Sequence, residues 1–197
     1  LNGGGVSSSF SGNNSDSASV ILNGCEFSSA VSITYGYSIR SFIFYSTFTS
    51  TVSLDACELI GNTFNGQVTI TPNNAQFAFP PHIKIYANAF RFSTTSSYGY
   101  QLYLQYPYYT NIHVANNLFY SPNMVGKNIY ITGSSNQNAD KIIIENNIFK
   151  HTSTSSSPSY YYMIQINNAD FCFIRNNYFD ISTNYITRGV NTSDIDI

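Results

Sequence analysis

Glu58, Lys84 and His113 are the residues of this 197-residue chain best suited by type to act together. A carboxylate, an ammonium and an imidazole can take a proton, give one and hold developing charge between them. They are distant in sequence, yet each stands six residues before a phenylalanine, at Phe64, Phe90 and Phe119. A shared offset from a recurring landmark would bring them into one column on neighbouring strands. There they would be either an acid–base trio or a solvated cross-strand charge ladder that discourages unwanted sheet packing. The same offset holds Phe42 and Ile143 elsewhere, which favours the ladder.

The landmark is part of a repeat. Lys141–Phe149 reads Lys-Ile-Ile-Ile-Glu-Asn-Asn-Ile-Phe, with close copies ending at Phe119 and Phe179, weaker ones at Phe64 and Phe90, and eroded ones at Phe27 and Phe48. Self-similarity at a spacing of roughly 20–50 residues marks a stacked-repeat architecture. Five residues before each phenylalanine stand Leu22, Ile43, Leu59, Ile85, Val114, Ile144 and Ile174, and seven before stand Val20, Ser41, Cys57, Ile83, Ile112, Ile142 and Cys172. The positions between are mixed. Alternation of period two is the signature of a strand with one face inward.

Two residues before the phenylalanine stand Cys25, Ser46, Asn62, Asn88, Asn117, Asn147 and Asn177. Asn tolerates the left-handed backbone region, so this column is expected at a tight turn, its side chains bonded coil to coil. A second strand set follows, from Val31-Ser32-Ile33 and Val52-Ser53-Leu54 to Ile129-Tyr130-Ile131 and Ile164-Gln165-Ile166. The phenylalanine anchors a short third strand, and Gly-, Ser-, Thr- and Pro-rich connections of variable length explain the drifting period.

Three short strands per turn describe an all-β right-handed parallel β-helix, a solenoid of about seven to eight coils with an Asn turn ladder. The Ile-x-Ile-x-Asn-Asn-x-Phe pattern resembles the β-helix repeat of the pectate-lyase-like superfamily over residues 18 to about 187, with an N-terminal coil expected through Phe10. That superfamily includes lyases, polygalacturonases, tailspikes and adhesins, so the resemblance speaks for fold rather than activity. It implies that an enzyme groove would lie on the outer face of one strand stack, here the second strand set. The outward positions there include Ser53, Asp55 and Thr69 together with the binding candidates Tyr103, Gln105, Tyr130, Thr132, Gln165 and Asn167. Asp55 is the lone carboxylate, whereas glycoside hydrolysis needs a pair. The Asn-Thr-Asp, Asp-Asp, Gly-His-Gly and Arg-Ile-Lys sets of polygalacturonases are missing, and His82-Ile83-Lys84 resembles the last only superficially.

The expected function is therefore a non-enzymatic extracellular structural or surface module, of filament or adhesin type, whose tyrosines could contact carbohydrate. The alternative is a polysaccharide lyase or glycoside hydrolase using Glu58, Lys84 and His113. Charged residues are only 9% and the net charge is −2, which favours neither nucleic acid nor an anionic membrane as partner. No apolar run reaches the length of a membrane span, and no cofactor or metal cluster is expected. Cys25, Cys57 and Cys172 fit no disulfide framework or zinc spacing. Cys57 and Cys172 share a column four coils apart, roughly 19 Å, beyond disulfide reach. His151, in a Ser/Thr-rich stretch, is expected to be exposed. Asn13 and Asn191 open glycosylation sequons in a secreted eukaryotic setting. Residues 1–197 read as one β-helix domain. Neither terminus carries the pattern of a capping helix, so the chain is expected to be a segment of something longer or to stack end to end.

Overall fold

The computed structural model describes residues 2–6, 19–34, 40–72, 82–92, 99–105, 107, 110–122, 126–133, 139–152, 162–181 and 188–195. The expectations resting on Phe10 and on the sequon at Asn13 lie outside these residues, as do the further tyrosines Tyr106, Tyr108 and Tyr109, whose run offers more rings for stacking on sugars. Within them are twenty strands and no helix, joined through parallel pairings into one sheet that winds as a right-handed parallel β-helix. Accordingly, no helix among the described residues is long and apolar enough to cross a membrane.

Each coil contributes to three strand stacks. The first runs through Ser19–Phe27, Arg40–Phe44, Ala56–Ile60, His82–Tyr86, Asn111–Ala115, Ala139–Glu145 and the second half of Tyr162–Arg175. The second holds the phenylalanines, from Thr47–Phe48 and Thr63–Phe64 through Ala89–Phe90, Leu118–Ser121 and Ile148–His151 to Tyr178–Ile181. It begins two coils earlier: Phe27, at the end of the first long strand, pairs with Phe48, and Asn2–Val6 pairs in turn with that strand end, Val6 taking the phenylalanine register beside Phe27. The third runs through Val31–Ile33, Val52–Leu54, Val68–Ile70, Tyr100–Gln105, Lys127–Thr132, the first half of Tyr162–Arg175 and Arg188–Ile195.

The core is made of columns. Phe27, Phe48, Phe64, Phe90, Phe119, Phe149 and Phe179 stand in register, with successive ring centroids 4.7 to 5.1 Å apart and planes within 18° of parallel. That distance is the strand spacing itself, so identical rings stack because identical residues recur at one register. The aliphatic column from Leu22 to Ile144, on the first stack, is fully buried. The three cysteines are free thiols, and burial pushes the Cys57 thiol far above its usual range.

The asparagine column is a buried hydrogen-bond ladder. Each rung's Oδ1 accepts the backbone N–H and one side-chain N–H of the preceding rung: Asn88 receives Asn62 at 2.9 and 3.0 Å, Asn117 receives Asn88 at 2.9 and 3.0 Å, and Asn147 receives Asn117 at 2.9 and 2.9 Å. Asn177 receives Asn147 at 3.0 and 3.0 Å. Ser46 continues the column in shortened form, accepting from Cys25 N at 3.1 Å and donating to Phe44 O at 2.9 Å. The expected left-handed conformation is, however, one residue earlier. Gly24, Tyr45, Gly61, Ala87, Asn116, Asn146 and Asn176 have φ between 49° and 69°. That bend is what turns the following Asn inward; the ladder residues themselves are not left-handed.

A second buried polar cluster joins the other two stacks. Gln101 donates to Phe92 O at 2.9 Å and Tyr120 O at 2.7 Å, while Asn128 donates to Gln101 Oε1 and Ser121 Oγ, both at 2.7 Å. His151, expected to be exposed, is buried, because the second-stack strand continues to Ile148–His151 and alternation turns it inward beside Phe149. Asp55, expected outward, is also buried, and its N–H donates to Ile33 O at 3.2 Å.

Candidate functional site

The register sets Glu58 beside Lys84 and Lys84 beside His113, as the shared offset predicts. Lys84 Nζ lies 3.2 Å from Glu58 Oε1, with the carboxylate largely covered and the ammonium more open. His113 does not join that pair. Its ring turns to the neighbouring outward column, in which Tyr86, Ala115, Glu145 and Arg175 follow one another in register. Ala115 offers only a methyl group between Tyr86 and Glu145, leaving the room that the imidazole fills.

Tyr86 Oη is 2.6 Å from His113 Nδ1, and His113 Nε2 is 2.8 Å from Glu145 Oε1. Arg175 Nε donates to the other oxygen of Glu145 at 2.7 Å. An ionised carboxylate can only accept, so Nε2 carries a hydrogen, and in the neutral ring Nδ1 accepts the phenol proton. The Tyr86 and His113 rings meet edge to face, 5.0 Å apart at 89°, which fixes the imidazole. Hydrogen bonds from Arg175 and then His113 hold the Glu145 carboxyl below its usual range. Burial, then the charges of Glu58 and Glu145, push the Tyr86 phenol up, so it keeps its proton.

Beside this chain lies a groove of about 180 Å³ on the outer face of the first stack, lined by His82, Lys84, Asn111, His113, Lys141 and Ile143. Chemically, the Tyr86 phenol and the His113 imidazole form a short hydrogen bond, while Lys84 and Lys141 supply positive charge. Sequence reasoning found Lys84 and His113 but not Tyr86, Glu145, Arg175 or Lys141. The available signal was the repeat itself: Tyr86, Glu145 and Arg175 share an offset of four before the phenylalanine.

On the third stack, Tyr103, Tyr130 and Gln165 form one outward column, and Gln105, Thr132 and Asn167 the next. The rings of Tyr103 and Tyr130 stack 5.2 Å apart at 6°, so their facing surfaces cover each other. Tyr100 packs against both at 4.9 and 5.0 Å, with Lys127 Nζ 4.8 Å from the Tyr130 centroid and 5.2 Å from that of Tyr100. Burial pushes the Lys127 ammonium below its usual range. This face offers ring edges and hydroxyls rather than free ring planes. Its amides bond within the face: Gln165 Nε2 donates to Asn167 Oδ1 at 3.3 Å, and Asn167 Nδ2 to Tyr130 Oη at 3.4 Å.

Among the described residues, no group of three or more His, Cys, Asp or Glu side chains is placed to hold a metal ion. Comparison of the chain with protein-family models, with curated proteins and with solved structures finds no match.

Proposed function

We propose that this chain is a non-enzymatic structural or surface module acting outside the cell, a β-helix of filament or adhesin type with one flank suited to carbohydrate. The observation behind the reading is the outward column of the third stack. Ser32, Ser53, Thr69, Tyr103, Tyr130 and Gln165 follow one another in register with no ionised side chain among them. Such a column offers hydroxyl and amide groups at the strand repeat of about 4.8 Å. A polar column without ionised side chains, flanked here by Lys127 over the Tyr130 ring, gives up its water at lower cost than a charged one, and sugar hydroxyls can replace the lost hydrogen bonds. The resemblance of the Ile-x-Ile-x-Asn-Asn-x-Phe repeat to the pectate-lyase-like superfamily, with its tailspikes and adhesins, supports the same reading, as does a core of continuous ladders suited to a stiff rod. Lengthwise association with further coils belongs to this proposal.

The test is a panel of immobilised neutral and acidic glycans. Retention is expected, and it should fall on Thr132→Val and Gln165→Ala. Failure to bind any glycan, or retention indifferent to both substitutions, removes the carbohydrate role; a monodisperse monomer under electron microscopy removes the filament role.

The 2.6 Å contact of Tyr86 with His113 favours a second reading, a polysaccharide lyase or glycoside hydrolase. Unsaturated or reducing ends released from a polysaccharide, and abolished by both Tyr86→Phe and Lys84→Ala, would displace the structural reading.

A further inference from the structure

We propose that the groove on the outer face of the first stack is a binding site for a tetrahedral oxyanion, phosphate or sulfate, carried as a monoester on a sugar or other small organic group. The proposal is independent of the third-stack face. It rests on which donors line the groove and on how the neighbouring carboxylates are engaged.

The donors come from three consecutive coils. His82 and Lys84 lie on one strand, Asn111 on the next and Lys141 on the one after, with His82, Asn111 and Lys141 in one register column; His113, both ring nitrogens engaged, is a wall of the groove and not a donor. Neighbouring strands are about 4.8 Å apart, so the long side chains of Lys84 and Lys141, two coils apart, can reach a ligand seated over the strand between them. A planar carboxylate is matched best by the planar fork of an arginine. The nearby arginine, Arg175, is engaged by Glu145. The cations that line the groove are ammonium groups, compact point charges that suit a group with oxygens on all sides.

The local charge balance supports an anion. Glu145 is occupied from both sides, by Arg175 at 2.7 Å and His113 at 2.8 Å. Glu58 engages Lys84 at 3.2 Å. Lys141 has no carboxylate partner among the described residues; its ammonium lies 5.5 Å from the Phe173 ring centroid. The groove thus keeps one uncompensated lysine and a second that can be drawn from Glu58, beside the His82 imidazole. His113 is held between Tyr86 and Glu145, so this wall of the site is set before a ligand arrives, which lowers the ordering cost of binding. Ile143, half-buried at the groove edge, gives the carbon part of a monoester an apolar wall that a free ion would not use.

The experiment is a titration of the whole chain with glucose 6-phosphate, inorganic phosphate, inorganic sulfate and acetate, followed by the imidazole resonances of His82 and His113 and by calorimetry. The expected result is saturable binding of the three tetrahedral anions, tightest for glucose 6-phosphate, with acetate binding at least about tenfold more weakly. Lys141→Gln and Lys84→Gln should each weaken binding about tenfold. Glu58→Gln should tighten it severalfold, because it releases Lys84; a lysine that merely stabilises the fold would give no such gain. Thermal unfolding of each variant confirms that the fold persists. Three outcomes overturn the proposal: no saturable binding of any tetrahedral anion, acetate binding as tightly as phosphate, or affinity unchanged in Lys141→Gln and Glu58→Gln. Inorganic phosphate and sulfate binding as tightly as glucose 6-phosphate would overturn the monoester assignment.

Discussion

Replacing Asn117 by Ala should be among the most damaging single truncations in this fold. The side chain is 2% exposed and makes five hydrogen bonds. Its Oδ1 accepts Asn88 N at 2.9 Å and Asn88 Nδ2 at 3.0 Å, and its Nδ2 donates to Ile85 O at 2.8 Å, Ala115 O at 3.0 Å and Asn147 Oδ1 at 2.9 Å. Several partners are doubly provided for: Asn88 Nδ2 keeps Leu59 O, Asn147 Oδ1 keeps the backbone N–H of residue 117, and Ala115 O keeps Ala87 N. Asn88 N–H loses its side-chain acceptor in a buried setting, which alone costs about 1–3 kcal/mol. With the remaining bonds at their modest net worth, the total comes to about 3–5 kcal/mol, a large share of the roughly 5–15 kcal/mol that holds a domain together. Asn117→Ser should be milder, since Ser46 already serves in this column with a hydroxyl. Asn117→Asp should be worse than Ala, because a carboxylate would face Ile85 O, Ala115 O and Asn147 Oδ1 with no hydrogen to offer. Asn177→Ala should cost less, because that rung is only half-buried. Urea unfolding monitored by circular dichroism gives the order, provided the slope is unchanged between variants. A loss below about 1 kcal/mol for Asn117→Ala, or tolerance of Asp equal to that of Ser, would refute the view that the ladder's donor–acceptor pattern stabilises the coils.

Three further outcomes follow from single sites. Ser41 is buried in an inward column between Val20 and Cys57 with no hydrogen-bond partner for its hydroxyl among the described residues, so Ser41→Ala should raise stability by about 1 kcal/mol, read as a higher unfolding temperature. A methyl group on Gly66 would lie 2.1 Å from Ser50 O and 2.8 Å from Thr51 N, so Gly66→Ala must push two coils apart and should cost about 2–3 kcal/mol in the same assay. Glu145 is more acidic in the folded chain than its ordinary 4.5, so protonation favours the unfolded state: the stability it contributes is present above pH 4.5 and is lost as pH falls through the folded value. The advantage of the native chain over Glu145→Gln should therefore be steady above that pH and shrink below it; an advantage that grows on acidification would contradict the Arg175 and His113 bonds.

The contrast between what was legible in the sequence and what was not has a geometric cause. Inward residues are constrained by register, and the columns that repeat in type, Phe27 to Phe179 and Leu22 to Ile174, announce the coil. The left-handed position was misplaced by one because Asn116-Asn117, Asn146-Asn147 and Asn176-Asn177 present two candidates each. Gly24 and Gly61, which stand in the earlier column, were the residues that could have decided it. Tyr100 and Lys127 were missed because alternation skips a beat at Gln101-Leu102 and Asn128-Ile129, where two successive residues are buried at the corner. The outward network failed for a different reason. Register correctly placed His113 beside Lys84, but outward side chains are free to lean, and this one leans diagonally because Ala115 leaves space and Glu145 supplies an acceptor. Contacts of that kind depend on the size of a third residue in an adjacent column, which a column-by-column reading of the repeat does not compare. On this fold, offsets from the phenylalanine identify what the coils are built from, while the chemistry of the outer face is decided by which small residues interrupt its columns.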